Sequence, residues 1–155
     1  MPFLLDLVRH GEAEPSNPAG DRARHLTPAG VSMIASLAGR LAEAGTLPTR
    51  IFASPRERAL ESAHILARRA VPGVEVEVLD ALEPDVHPGK VLEALLDFGI
   101  VEGHAMVVGH LPQVEDLHFL LTDTGPPFPV ATLRRVLFPD HVGVGIGRPV
   151  LLLRP

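Results

Sequence analysis

The stretch Leu7-Val8-Arg9-His10-Gly11-Glu12 sets an arginine and an imidazole side by side, directly after the apolar run Phe3-Leu4-Leu5. The run reads as a buried strand, so both groups arrive at its carboxyl end. Two potentially cationic side chains at one point cost desolvation and repulsion unless an anion compensates them. Anion chemistry is the expectation. Gly11 is expected to turn the backbone sharply, at φ values that a Cβ would resist, and so leave the imidazole exposed. Two more segments carry matching groups: Ser54-Pro55-Arg56-Glu57-Arg58 follows Ile51-Phe52-Ala53, and Gly109-His110 follows Ala105-Met106-Val107-Val108.

A phosphoryl group fits this set, because planar guanidinium forks match its oxygens in pairs and a neutral histidine can attack phosphorus. His10 is the candidate nucleophile. Arg9 and Arg58 would clamp the oxygens and lower the pKa of His10, while His110 and amides at a helix start would meet charge developing in the transition state. A phosphohistidine would form, and water would hydrolyse it. Rival chemistries fit less well. There is no cysteine, His110 and His118 lack a zinc-type arrangement with a partner or carboxylate, and Ser54 lacks the Gly-x-Ser-x-Gly turn of a serine nucleophile. No metal is expected, and Ser54 and Thr27 read as helix caps.

These groups need a scaffold that brings distant segments together, and the 155 residues suffice for one domain, residues 1–155, with its own core. Apolar residues make up 46% and charged residues 21%, ordinary values for a globular chain. A net charge of −5 without a dense basic tract argues against nucleic acid. Asp6 and Arg9 interrupt the amino-terminal apolar run, and no run approaches membrane-spanning length. A soluble, cytoplasmic protein with no membrane partner is expected.

Periodicity predicts a strand ending before His10, then a Pro- and Gly-rich loop over 13–25 that holds Asn17, Asp21, Arg22 and Arg24. Thr27-Pro28 opens a helix that stops near Gly45. Strand 50–53 leads into helix 56–70, and the alternating stretch 74–78 predicts a strand near a sheet edge. A loop through Glu83, a helix over 89–98, strand 105–108, a helix opened by Pro112, and two closing strands over 131–138 and 149–153 complete the order. Such alternation argues an α/β fold, a largely parallel sheet covered by helices on both faces. Ligands of such sheets bind beyond the carboxyl ends of the strands. All three arginine and histidine segments fall there.

At these residues the chain resembles a known group. Leu7-Val8-Arg9-His10-Gly11-Glu12, Leu26-Thr27-Pro28-Ala29-Gly30, Ser54-Pro55-Arg56-Glu57-Arg58-Ala59 and Val107-Val108-Gly109-His110-Leu111-Pro112 are similar, in order, to motifs of the histidine phosphatase superfamily. This family is also called phosphoglycerate mutase-like. The resemblance implies a three-layer α/β/α sandwich with a mainly parallel mixed sheet and no cofactor. It implies His10 as nucleophile, Arg9 and Arg58 as phosphate clamp, and His110 as second histidine. The short segment 79–89 and the tail are most like the phosphohistidine phosphatases of the SixA type, which act on phosphohistidine in signalling proteins. Arg24 falls where SixA-type proteins often carry an arginine, and is therefore a candidate substrate contact; Val130 stands where relatives often have Thr.

Glu83 is the one obvious carboxylate in a suitable loop. Two rivals to a protein phosphohistidine phosphatase follow: a phosphatase for small phosphate esters that uses Glu83 as acid, and a binding module for phosphorylated ligands that has lost turnover. The partner is accordingly a phosphorylated protein or a small phosphorylated substrate. Among the bland readings, Arg56 is expected to be an exposed helix residue paired with Glu57 or Glu61. His25, His64, His87, His104, His118 and His141 are expected to be structural or surface groups.

Overall fold

The computed structural model describes residues 1–155. Its elements, in chain order, are β1 (Phe3–Arg9), α1 (Pro28–Glu43), β2 (Arg50–Ala53), α2 (Glu57–Ala70), β3 (Val76–Val78), α3 (Gly89–Asp97), β4 (Gly103–Gly109), α4 (Gln113–Thr122), β5 (Leu133–Phe138) and β6 (Arg148–Leu153). Short 3₁₀ turns form at Asp21–Ala23, inside the loop expected over 13–25, and at Asp80–Leu82, at the entry to the expected loop through Glu83.

The strands form one sheet in the order β3-β2-β4-β1-β5-β6. β1, β4, β2 and β3 run parallel, while β5 runs antiparallel to β1 and β6 antiparallel to β5. The alternating strand sits at the sheet edge, as expected, and spans Val76–Val78, paired with Ile51–Ala53; the alternation gives no single wet face, since Val78 is exposed and Glu77 half-buried. Side chains alternate across each central strand and so feed two separate cores. Val8, Ile51, Ala53, Met106 and Val108 pack with Ile34, Leu37, Leu41, Ala63 and Leu66 of α1 and α2. Leu5, Leu7, Phe52, Ala105 and Val107 pack with Val91, Leu95, Val114, Leu117 and Leu121 of α3 and α4. This is a three-layer α/β/α sandwich.

Deep in the sheet, fully buried Asp6 accepts two hydrogen bonds from Arg135, at 2.6 and 3.0 Å, and meets His104 Nε2 at 2.8 Å. The buried carboxylate is therefore paired, as burial of a charge demands.

The parallel register brings the carboxyl ends level: Arg9 lies opposite Gly109, and Ala53 opposite Val108. The ladder runs one residue further, with His10 N–H donating to Gly109 O at 3.1 Å and Ser54 N–H to Val108 O at 3.0 Å. Three distant segments are thus aligned by backbone bonds. Gln113, at the start of α4, places Nε2 within 2.7, 3.0 and 2.9 Å of the carbonyl oxygens of Ala81, Glu83 and Val86, which share its two N–H groups and so pin the loop carrying Glu83.

One expectation needs correction. Gly11 is not among the residues with positive φ, so it is not there for a left-handed turn. Its requirement is close approach. A Cβ on Gly11 would lie 2.8 Å from Gly30 O, and one on Gly30 would lie 2.0 Å from Glu12 O. The two glycines therefore let the turn after His10 press against the first turn of α1. Thr27 completes the joint: its N–H donates to Glu12 O at 3.0 Å, and its hydroxyl accepts from Gly30 N–H at 3.0 Å as the helix cap. Gly30→Ala is expected to cost about 2–3 kcal/mol by overpacking, the upper part of the usual range, because the obstacle is backbone. Urea unfolding would measure it, and a loss below about 0.5 kcal/mol would show that the joint yields easily.

Candidate active site

His10 is 7% exposed, so the imidazole is nearly buried rather than exposed as the sequence suggested. Its backbone is held on both sides, through the bond to Gly109 and through Ala131 N–H donating to His10 O at 3.0 Å. Nδ1 lies 2.6 Å from Gly11 O. A carbonyl can only accept, so Nδ1 carries the proton and the lone pair resides on Nε2, the form needed for attack. Burial lowers the pKa of His10 to about 4; the bond to Gly11 opposes this, while Arg58, Arg9 and Arg24 push in the same direction as burial. The imidazole is neutral near pH 7.

The His110 ring lies 5.0 Å from that of His10, centroid to centroid, and is 2% exposed. Burial first, then His10 and the nearby arginines, hold its pKa down to about 2. Its Nε2 lies 2.8 Å from the hydroxyl of fully buried Ser54. Ser54 is not the helix cap expected from the sequence, because α2 begins after Arg56 and has no side-chain cap; its hydroxyl accepts from Arg56 N–H at 3.3 Å in the preceding turn, and its shorter contact orients His110. Arg9 Nη1 donates to Phe128 O at 3.1 Å, while its buried Nε has no protein acceptor.

Arg58 lies in the first turn of α2 and is 5% exposed. A cation at a helix amino terminus opposes the macrodipole, so this placement asks for an anion. In the present structure Asp21 supplies one. Its backbone carbonyl accepts from Arg58 Nη1 at 3.0 Å, and its carboxylate accepts from Arg58 Nη2 at 3.2 Å and from Arg24 Nη1 at 3.0 Å. Arg56 also bonds this carboxylate. The Arg24 bond, then the charge of Arg58 and the other arginine contacts, hold the Asp21 pKa down to about 2 against the effect of burial.

The structure thus gathers His10, Arg9, Arg58, Arg24 and His110. Glu83 stands one step away, and its carboxylate is occupied. Arg56 Nε donates to it at 2.7 Å and Arg22 pairs with its other oxygen. Burial would raise the Glu83 pKa, but the two arginines outweigh it and hold the group below its usual value. An ionised carboxylate cannot serve as a general acid. Arg56 is likewise placed differently from the sequence expectation, bonded to Glu83 and Asp21 rather than to Glu57 or Glu61. Glu61 instead meets His25 at 2.8 Å and raises its pKa.

Two contributors were not legible as such in the sequence. Asp21 was visible only as one polar loop residue among several. Ser62 is fully buried and accepts from Gly11 N–H at 3.0 Å while donating to Arg58 O at 2.7 Å, so one hydroxyl ties the turn after His10 to the helix start. A serine four residues after Arg58, on the apolar face marked by Ala59, Ala63 and Leu66, was its only signal.

The His10 C–H resonances are expected to titrate with a midpoint near pH 4 by NMR, and a midpoint near 6.5 would overturn this electrostatic account. The unfolded chain, with an ordinary histidine near 6.5, binds more protons between those values, so stability should decline as pH falls from about 6.5 towards 4.

Residues 5–90 match the sequence model of the histidine phosphatase superfamily (branch 1). No curated protein sequence matches the chain significantly. Among solved structures, the protein histidine phosphatase SixA complexed with tungstate is 27% identical and superposes with a TM-score of 0.85, covering 98% of this chain and 97% of that one. A structure from Agrobacterium tumefaciens assigned as the phosphohistidine phosphatase SixA is 21% identical, TM-score 0.82, covering 100% and 99%. One from Escherichia coli K-12 assigned as an alpha-ribazole-5'-P phosphatase is 16% identical, TM-score 0.73, covering 97% and 96%. With the sequence match spanning more than half of its length and this fold around the two histidines, the chain belongs to the histidine phosphatase superfamily and is a phosphatase.

Proposed function

We propose that residues 1–155 act as one domain, a cytoplasmic protein phosphohistidine phosphatase, with His10 as nucleophile, Arg9, Arg58 and Arg24 on the phosphoryl oxygens, and His110 beside them. Nε2 of His10 attacks phosphorus as the P–N bond to the substrate imidazole breaks, and the leaving nitrogen takes its proton from solvent. Water then attacks the phosphorus of phospho-His10, inorganic phosphate leaves, and the neutral imidazole is restored. Charge on the transferring group is met throughout by guanidinium donors that are already in place.

The capture of Glu83 carries the choice of substrate. An alkoxide leaving group depends heavily on a positioned acid, whereas an imidazole departs once its nitrogen is protonated, which solvent can supply. Arg56 and Arg22 keep the loop carboxylate ionised, so the site is better matched to a P–N bond. The similarity to SixA, the structure with 27% identity, supports the same reading.

Turnover of a phosphohistidine peptide is expected to change less than about threefold in Glu83→Gln, against the 10²–10⁴-fold that a general acid commonly contributes. Strong cleavage of an alkyl phosphate that collapses in the same variant would instead identify a small-ester phosphatase. Brief reaction with a labelled phosphoryl donor should leave acid-labile, base-stable label on His10; label on a serine, or none, would reject the mechanism.

A further inference from the structure

The Asp21 carboxylate receives hydrogen bonds from Arg24, Arg56 and Arg58, and these same arginines lower the pKa of His10 or sit beside those that do. A phosphoryl group arriving at His10 would seek the guanidinium donors that this carboxylate already holds. Asp21 is half-exposed, on a 3₁₀ turn of the loop over 13–25, whereas Arg58 is buried in the helix start. The anion is therefore the more accessible partner of the pair, and the cation the more enclosed.

We propose that Asp21 is an internal counter-anion that competes with the phosphoryl group for Arg24 and Arg58 and thereby limits how tightly the site holds inorganic phosphate. This rests on the phosphatase reading of the site and adds a residue that acts through the arginines without touching the reacting atoms. The physical reason is charge balance. Three guanidinium groups and a helix amino terminus facing one dianion would bind the product tightly and slow its release. A carboxylate built into the chain lowers the net charge seen by phosphate and partly neutralises the arginines. Arg58 keeps three N–H groups without a protein acceptor after Asp21 has taken two, so the clamp remains able to bind.

Calorimetric titration of the full-length protein with inorganic phosphate tests this. Asp21→Asn and Asp21→Ala are each expected to tighten phosphate binding about three- to tenfold. Asp97→Asn, the same change of charge on the exposed end of α3, should stay within about twofold of the wild-type protein. Equal or weaker binding in both Asp21 variants would overturn the proposal. Tighter binding in Asp21→Asn but weaker binding in Asp21→Ala would also overturn it, since that pattern means Asp21 serves to orient Arg58. If Arg58→Ala removes no affinity from the wild-type protein, the phosphate sits elsewhere, and the site reading itself fails rather than the role of Asp21.

Discussion

Arginine side chains and two imidazoles cannot crowd the end of one sheet unless something negative answers them. Desolvation makes each charge costly, like charges raise that cost, and the amino terminus of α2 adds a further positive field. The structure meets this constraint in two ways. The imidazoles give up their protons, His10 to about pH 4 and His110 to about pH 2, and Asp21 enters as a carboxylate among the guanidinium groups. The same electrostatics leave Nε2 of His10 with its lone pair.

Position is secured by the backbone more than by the side chains. Parallel pairing of β1 with β4 and of β4 with β2 sets Arg9 opposite Gly109 and Ala53 opposite Val108, and one further hydrogen bond at each strand end places His10 and Ser54. Buried hydroxyls then join the parts. Ser62 ties the turn after His10 to the carbonyl of Arg58, and Ser54 orients His110. The Gly11 and Gly30 contact brings α1 in close behind, so His10 is backed by a helix end.

Charge pairing also shapes what the site lacks. Arg56 and Arg22 occupy Glu83, and Gln113 fixes its loop through three carbonyls, so the carboxylate nearest the site stays ionised and anchored. Such a site stabilises charge on a phosphoryl group well and protonates a leaving group poorly.

The amino-acid sequence by itself determined the order of the elements, because hydrophobic periods of 2 and 3.6 and the Pro and Gly breakers act locally. It also marked Arg9, His10, Arg58 and His110, since each follows an apolar run that had to be a buried strand or its junction with a helix. Only the tertiary structure decided what those groups touch. Asp21 on Arg58, Glu83 held by Arg56, Ser62 bridging residues 11 and 58, and Gly11 packed on Gly30 are contacts between segments far apart in the chain. No local pattern encodes them. They arise when strand register and helix packing bring two loops within hydrogen-bond distance, and there the balance of charges determines which carboxylate each arginine holds.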